Sequence, residues 1–248
     1  MMKLYVLGSS SHGNGYVLES KYDALILEAG VPFAEVKKAL RFDLSKVRGV
    51  LVSHRHNDHA KYIGEYIKAG IPVLAPEDVY EAKKIDTAFL PNTYKAFHMA
   101  KRNFGNYRIK PFDLFHDVPC VGYYIRHPFC VGIVFITDTS QVPYRFQRMK
   151  NIIIEANYSD EVIEENILSG RTNKAMRDRV LNSHLDLNGV KEFLSRNDLS
   201  GVNNIVLAHL SDANSDAALF RDEIIKATGK TVWIAERNME IPFGQTPF

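Results

Sequence analysis

The segment Val50-Leu51-Val52-Ser53-His54-Arg55-His56-Asn57-Asp58-His59 constrains this chain more than any other. An apolar run rich in β-branched residues, typical of a buried strand, ends abruptly in three histidines and an aspartate. Open α/β sheets usually carry their sites at such carboxyl ends of buried strands. His54 and His56 can direct their rings at one point, and Asp58 and His59 can face a second point nearby. Imidazole and carboxylate suit Zn²⁺, Mn²⁺ or Fe²⁺, so the segment predicts a metal site.

Two further motifs lie at opposite ends of the chain. It opens with Leu7-Gly8-Ser9-Ser10-Ser11-His12-Gly13-Asn14, and His209-Leu210-Ser211 followed by Asn214 lies near its end. The central His-x-His-x-Asp-His segment resembles the signature of the metallo-β-lactamase fold. The two outer motifs are similar to those of the YycJ-like (WalJ) branch, which is described as metal-dependent nucleases or phosphodiesterases. The resemblance covers most of the chain in the expected order.

The resemblance implies a pair of divalent metal ions, zinc or manganese, and a ligand set for each. The first ion would be held by His54, His56 and His116, the second by Asp58, His59 and His209, with Asp138 bridging both. Asp138 ends the strongly apolar run 132–136, which repeats the strand-to-ligand pattern of the central segment. Seven ligands for two ions leave positions open for water and substrate, as in catalytic metal sites.

Five more residues are expected close to the ions. Glu28 stands where the family usually has Asp, and it would hydrogen-bond a ligand histidine. The hydroxyl and backbone N–H groups of Ser9, Ser10 and Ser11 could hold a phosphate oxygen, or they could belong to an ordinary turn. His184, expected at a helix start, would hold phosphate or protonate a leaving group, or it would have no role beyond the helix.

Strands and helices alternate twice along the sequence, with polar strand ends in both halves. This agrees with the α/β fold that the resemblance implies, a four-layer αββα sandwich of two mixed β-sheets flanked by helices. No Pro/Gly-rich linker separates the halves, so residues 1–248 are predicted to form a single domain. Helices are predicted over residues 32–40, 60–68 and 160–168, and a last ligand strand over 204–208. Ser215 is predicted to cap a helix that ends at residue 227.

The composition is that of an ordinary globular protein, with 46% hydrophobic and 24% charged residues. The net charge of +2 neither indicates nor excludes nucleic-acid binding, because a local patch matters more than the sum. We see no apolar run of bilayer-spanning length and no signal-peptide pattern at the first residues. The two cysteines do not make a disulfide framework. We therefore expect a cytoplasmic protein without a membrane partner, and the sequence permits a homodimer.

Two segments are rich in cations. Residues 85–110 interleave aromatic rings with Lys and Arg, which could form a stacking and phosphate-binding surface for single-stranded nucleic acid. Ordinary loop and hairpin packing is the competing interpretation of that segment. Residues 169–182 are polar and basic, with Arg171, Lys174, Arg177 and Arg179, and they are expected near the site because His184 follows them.

The expected reaction is hydrolysis of a phosphodiester by a metal-bound hydroxide, with Asp58 orienting or deprotonating the attacking water. The predicted enzyme is a DNA or RNA exonuclease acting on nucleic-acid ends, although the chain is too short to hold the β-CASP domain of long-RNA nucleases. A cyclic-nucleotide phosphodiesterase is the main alternative. A glyoxalase II-like thioesterase shares all seven ligands, which define the metals and not the substrate. A β-lactamase of the dizinc type would carry Cys in place of Asp138, and a catalytically silent relative would lack ligands.

Overall fold

A computed structural model describes residues 1–169 and 174–244 of the chain. The basic segment predicted at 169–182 is therefore described only in part. Arg171 lies outside the described residues, and so do the side chains of Lys174 and Arg179. The assignment of residues 1–248 to a single domain stays a prediction.

Fourteen strands and eight α-helices occur in the described residues. The strands are β1 (Lys3–Ser10), β2 (Gly13–Glu19), β3 (Ala24–Leu27), β4 (Val47–Leu51), β5 (Val73–Ala75), β6 (Thr93–Lys95), β7 (Arg102–Phe104), β8 (Tyr107–Leu114), β9 (Cys120–His127), β10 (Cys130–Ile136), β11 (Asn151–Glu155), β12 (Asn204–Ala208), β13 (Thr231–Ile234) and β14 (Glu240–Pro242). The helices are α1 (Phe33–Ala39), α2 (Asn57–Ala60), α3 (Ile63–Lys68), α4 (Glu77–Ala82), α5 (Asp160–Leu168), α6 (Lys174–Ser183), α7 (Leu187–Ser195) and α8 (Ala217–Thr228).

The strands form two mixed sheets, each of seven strands within the described part of the chain. The first has the order β14-β1-β2-β3-β4-β5-β6, and the second has the order β13-β12-β11-β10-β9-β8-β7. Strands β3 to β6 run parallel in the first sheet, and strands β10 to β13 run parallel in the second. Both sheets therefore present the carboxyl ends of several adjacent strands together, which is where sites form in such sheets.

Three apolar layers hold the sheets and helices together. The central layer lies between the two sheets and includes Leu51 from one and Phe135 from the other. A second layer packs the first sheet against α1, α3 and α4, and a third packs the second sheet against α7 and α8. The αββα sandwich predicted from the sequence is confirmed. Among the described residues, no helix combines the length and apolar character needed to span a bilayer.

The helix predicted over residues 60–68 is wrong in its start and its continuity. Helix α2 begins at Asn57, three residues before the predicted start, so Asp58 and His59 are already helical. The Tyr62 N–H then donates to the Ala29 carbonyl at 2.9 Å, and this bond outside the helix separates α2 from α3. The same loop fixes the site, because the Ala29 N–H donates to the His59 carbonyl at 2.7 Å.

Two other local predictions are corrected by the hydrogen bonds. Asp216 caps α8 by accepting from the Leu219 N–H, whereas the Ser215 hydroxyl donates to the Ser211 carbonyl. His184 does not begin a helix: it directly follows α6, and its N–H donates to the Val180 carbonyl. Much of the aromatic segment 85–110 is hairpin packing, with Phe104 and Tyr107 buried between the sheets.

Candidate metal centre and active site

Polar side chains from several strand ends meet at one edge between the two sheets. His54 follows β4, His116 follows β8, Asp138 follows β10 and His209 follows β12, while Glu155 is the last residue of β11. Leu51, Ile136 and Ala208 are buried immediately before this edge, so the chain turns polar where these strands end. The fold thus brings all seven predicted metal ligands together, in two adjoining clusters.

The first cluster consists of His54, His56 and His116. The His54 Nε2 lies 3.1 Å from the His56 Nδ1, and the His116 Nε2 lies 3.3 Å from the same atom. His54 is fully buried, whereas His56 is partly open to solvent. Three ring nitrogens within 4.8 Å of one another match the donor set of a divalent cation. The Asp117 Oδ1 lies beside them, at 3.1 Å from the His116 Nε2.

The second cluster consists of Asp58, His59, Asp138 and His209. The His59 Nε2 lies 3.1 Å from the Asp58 Oδ2 and 3.3 Å from the Asp138 Oδ1. The His209 Nε2 lies 3.4 Å from the Asp58 Oδ2, and this buried nitrogen has no hydrogen-bond partner among the described residues. Such an orphaned buried atom needs an explanation, and a bound cation supplies one.

Asp138 joins the two clusters through its two carboxylate oxygens. Its Oδ2 faces the first cluster, at 3.9 Å from both the His54 Nε2 and the His116 Nε2. Its Oδ1 faces the second cluster, at 3.3 Å from the His59 Nε2 and 3.3 Å from the His209 Nδ1. One carboxylate oriented in this way can bridge a pair of ions.

Four of the histidines have the ring orientation that metal ligands show. Their Nδ1 atoms lie against oxygens outside the clusters: the Ser53 hydroxyl for His54 at 2.9 Å, Glu28 for His59 at 3.5 Å, the Ser183 carbonyl for His116 at 2.7 Å and Glu155 for His209 at 3.0 Å. An oxygen at Nδ1 fixes the tautomer and leaves Nε2 for the metal. The residues present therefore fit a pair of divalent ions. Their nitrogen and oxygen donors are compatible with more than one metal.

The charges in the clusters also favour a cation. Burial by itself raises the pKa of Asp138, but His209, His59 and His54 outweigh it and hold that pKa well below its usual range. Burial likewise lowers the pKa of His59, but the charges of Asp138 and Glu28 raise it well above its usual value. The buried carboxylates thus favour positive charge beside them, which a divalent ion would supply.

Glu28 and the three serines surround the clusters in different ways. The Glu28 Oε2 accepts from the Ser53 N–H at 3.2 Å, while its Oε1 lies 3.5 Å from the His59 Nδ1. The Ser9 hydroxyl accepts from the His209 N–H at 2.9 Å, so it holds the backbone of that histidine. The Ser10 hydroxyl accepts from the His12 N–H, and Ser11 lies exposed in the turn. Only Ser9 among the three is tied directly to a cluster residue.

Glu155 is the main site residue that the sequence analysis missed. Its Oε1 accepts from the Nδ1 of His184 at 2.6 Å and of His209 at 3.0 Å. Its Oε2 accepts from the backbone N–H groups of Thr139 and Leu185, each at 3.1 Å. The signal was present in the apolar run 152–154, which is followed directly by this carboxylate, a pattern like the one that identified Asp138.

His184 reaches the clusters through this carboxylate. Its Nδ1 lies 3.8 Å from the Asp138 Oδ2, and its ring centroid is 5.4 Å from that of His116. Burial lowers the pKa of His184, but the Glu155 charge and hydrogen bond outweigh it and raise that pKa. Glu155 therefore favours the protonated form of this ring at the edge of the site.

Asn14 is a second residue that the sequence analysis did not assign to the site. Its Nδ2 lies 3.0 Å from the His59 Nε2 and 3.4 Å from the Asp58 Oδ2. The opening motif of the chain thus reaches the second cluster through Asn14 as well as through Ser9.

The fold and these clusters define the class of protein. A sequence profile of the metallo-beta-lactamase superfamily matches residues 10–129. The chain has the metallo-β-lactamase fold, which is a fold of metal-dependent hydrolases, and the resemblance seen in the sequence is confirmed.

The chain is similar to two proteins named as exodeoxyribonucleases. It is 26% identical over 228 residues to exodeoxyribonuclease WalJ of Streptococcus pneumoniae, which covers 86% of this chain and 83% of that protein. It is 27% identical over 227 residues to exodeoxyribonuclease YycJ of Bacillus anthracis, with 87% and 85% covered. Among solved structures, the match to the metallo-β-lactamase fold protein YhfI of Bacillus subtilis covers 98% of this chain and 100% of the YhfI chain. The TM-score is 0.71 at 18% identity, a likeness of fold.

Proposed function

We propose that this enzyme is a dinuclear-metal phosphodiesterase that releases nucleotides from the ends of nucleic acid. The observation that carries the proposal is the orientation of Asp138, which directs one carboxylate oxygen at each cluster. Hydrolases of phosphate esters commonly use paired metal sites of this kind. The similarity to two named exodeoxyribonucleases supports nucleic acid as the substrate class.

We assign the first ion to His54, His56 and His116, and the second to Asp58, His59 and His209, with Asp138 between them. Two bound cations, zinc or manganese, would neutralise charge on phosphate oxygens and lower the pKa of water. The cytoplasmic location and the homodimer stay predictions.

The chain's own residues supply orientation and protons. Burial raises the pKa of Asp58, but His209 and His59, whose Nε2 atoms lie 3.4 Å and 3.1 Å from its Oδ2, outweigh it and hold that pKa well below its usual range. Asp58 can therefore accept a hydrogen bond from an attacking water and align it. His184 has Nδ1 engaged by Glu155, so its Nε2 is the nitrogen that can donate to a phosphate or departing oxygen.

The test is one hydrolysis assay with zinc-loaded and manganese-loaded protein. The substrates are 5′-phosphorylated single-stranded DNA, a panel of cyclic nucleotides and a glutathione thioester. Release of mononucleotides from DNA supports the proposal. Hydrolysis of cyclic nucleotides alone would make the enzyme a small-molecule phosphodiesterase. Hydrolysis of the thioester alone would make it a thioesterase and contradict the proposed phosphodiesterase activity.

Asp138→Asn is the matched loss-of-function variant because it keeps the shape of the side chain. It should lower kcat/KM at least about a hundredfold, since changing only a partner of a metal ligand typically costs 10–100-fold. Asp222→Asn, on the exposed surface of α8, removes the same charge away from the site and should retain activity. Equal activity of the two variants would contradict the assignment of Asp138.

A further inference from the structure

A cluster of cations lies on the outer face of the second sheet, away from both metal clusters. It is formed by Arg108 and Lys110 of β8, Arg126 of β9, and Arg145 and Arg148 of the loop after β10. We call these five residues the basic face. Two cavities of about 320 Å³ and 340 Å³ open on it, and Arg126 lines both.

The basic face is not neutralised by the protein. Within residues 1–169 and 174–244, none of its five cations forms an ion pair, although many other Lys and Arg side chains do. The Asp113 carboxylate, whose charge acts on Tyr144, lies 3.1 Å from the His98 Nδ1. The face therefore carries excess positive charge although the whole chain is close to neutral.

The strand register places two of these cations against each other. Arg108 and Arg126 are direct partners in the antiparallel pair of β8 and β9, so their side chains leave the same face of the sheet. Like charges directly opposite each other destabilise a sheet. A bound polyanion would offset the repulsion between the two guanidinium groups, so the pairing of Arg108 with Arg126 favours an anion-binding surface.

Aromatic rings accompany the cations and are held rigidly. Phe146 packs at 4.8 Å from Phe112 and is stacked with Tyr124 at 6.0 Å, measured between ring centroids. The Tyr124 hydroxyl donates to the Gln147 carbonyl at 2.9 Å. Tyr144 and Phe146 remain partly exposed beside the cations. Rings and cations on one concave surface are the features that bind single strands, because bases stack while phosphates pair with Lys and Arg.

The basic face is connected to the active site by a strand. β8 carries Arg108 and Lys110 and ends at Leu114, two residues before the ligand His116. Arg108 and Leu114 are six residues apart, which is about 20 Å at about 3.4 Å per residue in an antiparallel strand. A chain of several nucleotides can span this distance, whereas a dinucleotide or cyclic nucleotide cannot.

We propose that the basic face binds the backbone of a single-stranded nucleic acid whose end lies in the metal centre. This inference rests on the proposed function for the position of the strand end. The binding itself rests on the charges, rings and cavities of the face. The enzyme should therefore prefer strands long enough to reach Arg108 and Arg126.

The first test measures binding without hydrolysis, using metal-free protein and a fluorescent single-stranded oligonucleotide of about 12 nucleotides, within the range of known site sizes. The variant is the double substitution Arg108→Ser and Arg126→Ser. Loss of two phosphate contacts should weaken binding at least about tenfold at 0.1 M salt. It should also change the slope of log K against log salt by about 1.4, since each contact contributes about 0.7.

The matched control is the double substitution Lys68→Ser and Lys226→Ser, which removes two exposed charges from α3 and α8. Binding by the control should equal that of the wild type. An equal loss in both double variants would show a non-specific charge effect and overturn the proposal. No loss in either variant would overturn it as well.

The second test compares kcat/KM for the same oligonucleotide with kcat/KM for a dinucleotide. The ratio should fall at least about tenfold in the Arg108/Arg126 double variant, because only the long strand reaches the face. A wild-type ratio near one would overturn the proposal. If the wild type cleaves neither substrate but binding depends on the two arginines, the proposed function fails while the basic face stands.

Discussion

Replacing Glu155 with Gln is the most informative single change in the site. Four donors converge on this buried carboxylate: the ring N–H groups of His184 and His209 on Oε1, and the backbone N–H groups of Thr139 and Leu185 on Oε2. Gln keeps the shape but replaces one acceptor oxygen with an NH₂ group. Whichever way the amide turns, two of the four donors then face a donor.

The cost follows from those contacts. A buried donor left without an acceptor costs about 1–3 kcal/mol, so two of them should lower the free energy of unfolding by about 2–6 kcal/mol. The metal centre should weaken too, because Glu155 holds the ring of His209. Loss of such a partner typically reduces metal affinity about 10–100-fold.

Two measurements check this prediction. Urea denaturation of the metal-free protein, followed by the fluorescence of Trp233, gives the change in stability. Competition with a chromogenic chelator gives the change in zinc affinity. Glu164→Gln, at an exposed position of α5, is the control and should change neither quantity. An E155Q protein with wild-type stability would refute the count of unsatisfied donors, and one with wild-type zinc affinity would refute the orienting role.

Two further predictions concern the second cluster. Gly30→Ala should lower both stability and metal content after dialysis, because a Cβ at Gly30 would lie 1.6 Å from the Asp58 carbonyl oxygen and displace it. Overpacking of this kind costs about 1–3 kcal/mol, whereas Gly64→Ala, with open space around its Cβ, should stabilise α3 by up to about 1 kcal/mol. Metal binding should release protons at pH 8. The reason is the pKa of His209, which burial lowers but which Asp138 and Asp58 raise to about 10. Metal affinity should therefore rise with pH up to about that value, and a calorimetric enthalpy independent of the buffer would contradict this.

Much of the candidate site could be predicted from the sequence, because several of the predicted ligands follow strongly apolar strands. His54 and Asp138 were identifiable from such runs, and the resemblance of the motifs supplied His116 and His209 in the correct order. Glu155 ends a similar run but has no motif around it, so its importance appears only when His184 and His209 are seen to share it. The continuous helix predicted over residues 60–68 was wrong because a hydrogen bond from Tyr62 to the distant Ala29 separates α2 from α3.

The sequence by itself determined the class of fold, the chemistry of the ligands and the strand ends that carry them. These properties are local, since hydrophobic periodicity and side-chain chemistry act over a few residues. Only the tertiary structure decided which carboxylate oxygen faces which cluster, which donors share Glu155, and that Arg108 stands opposite Arg126. Those relations depend on strand register and on contacts between residues far apart in the chain, which no local pattern specifies.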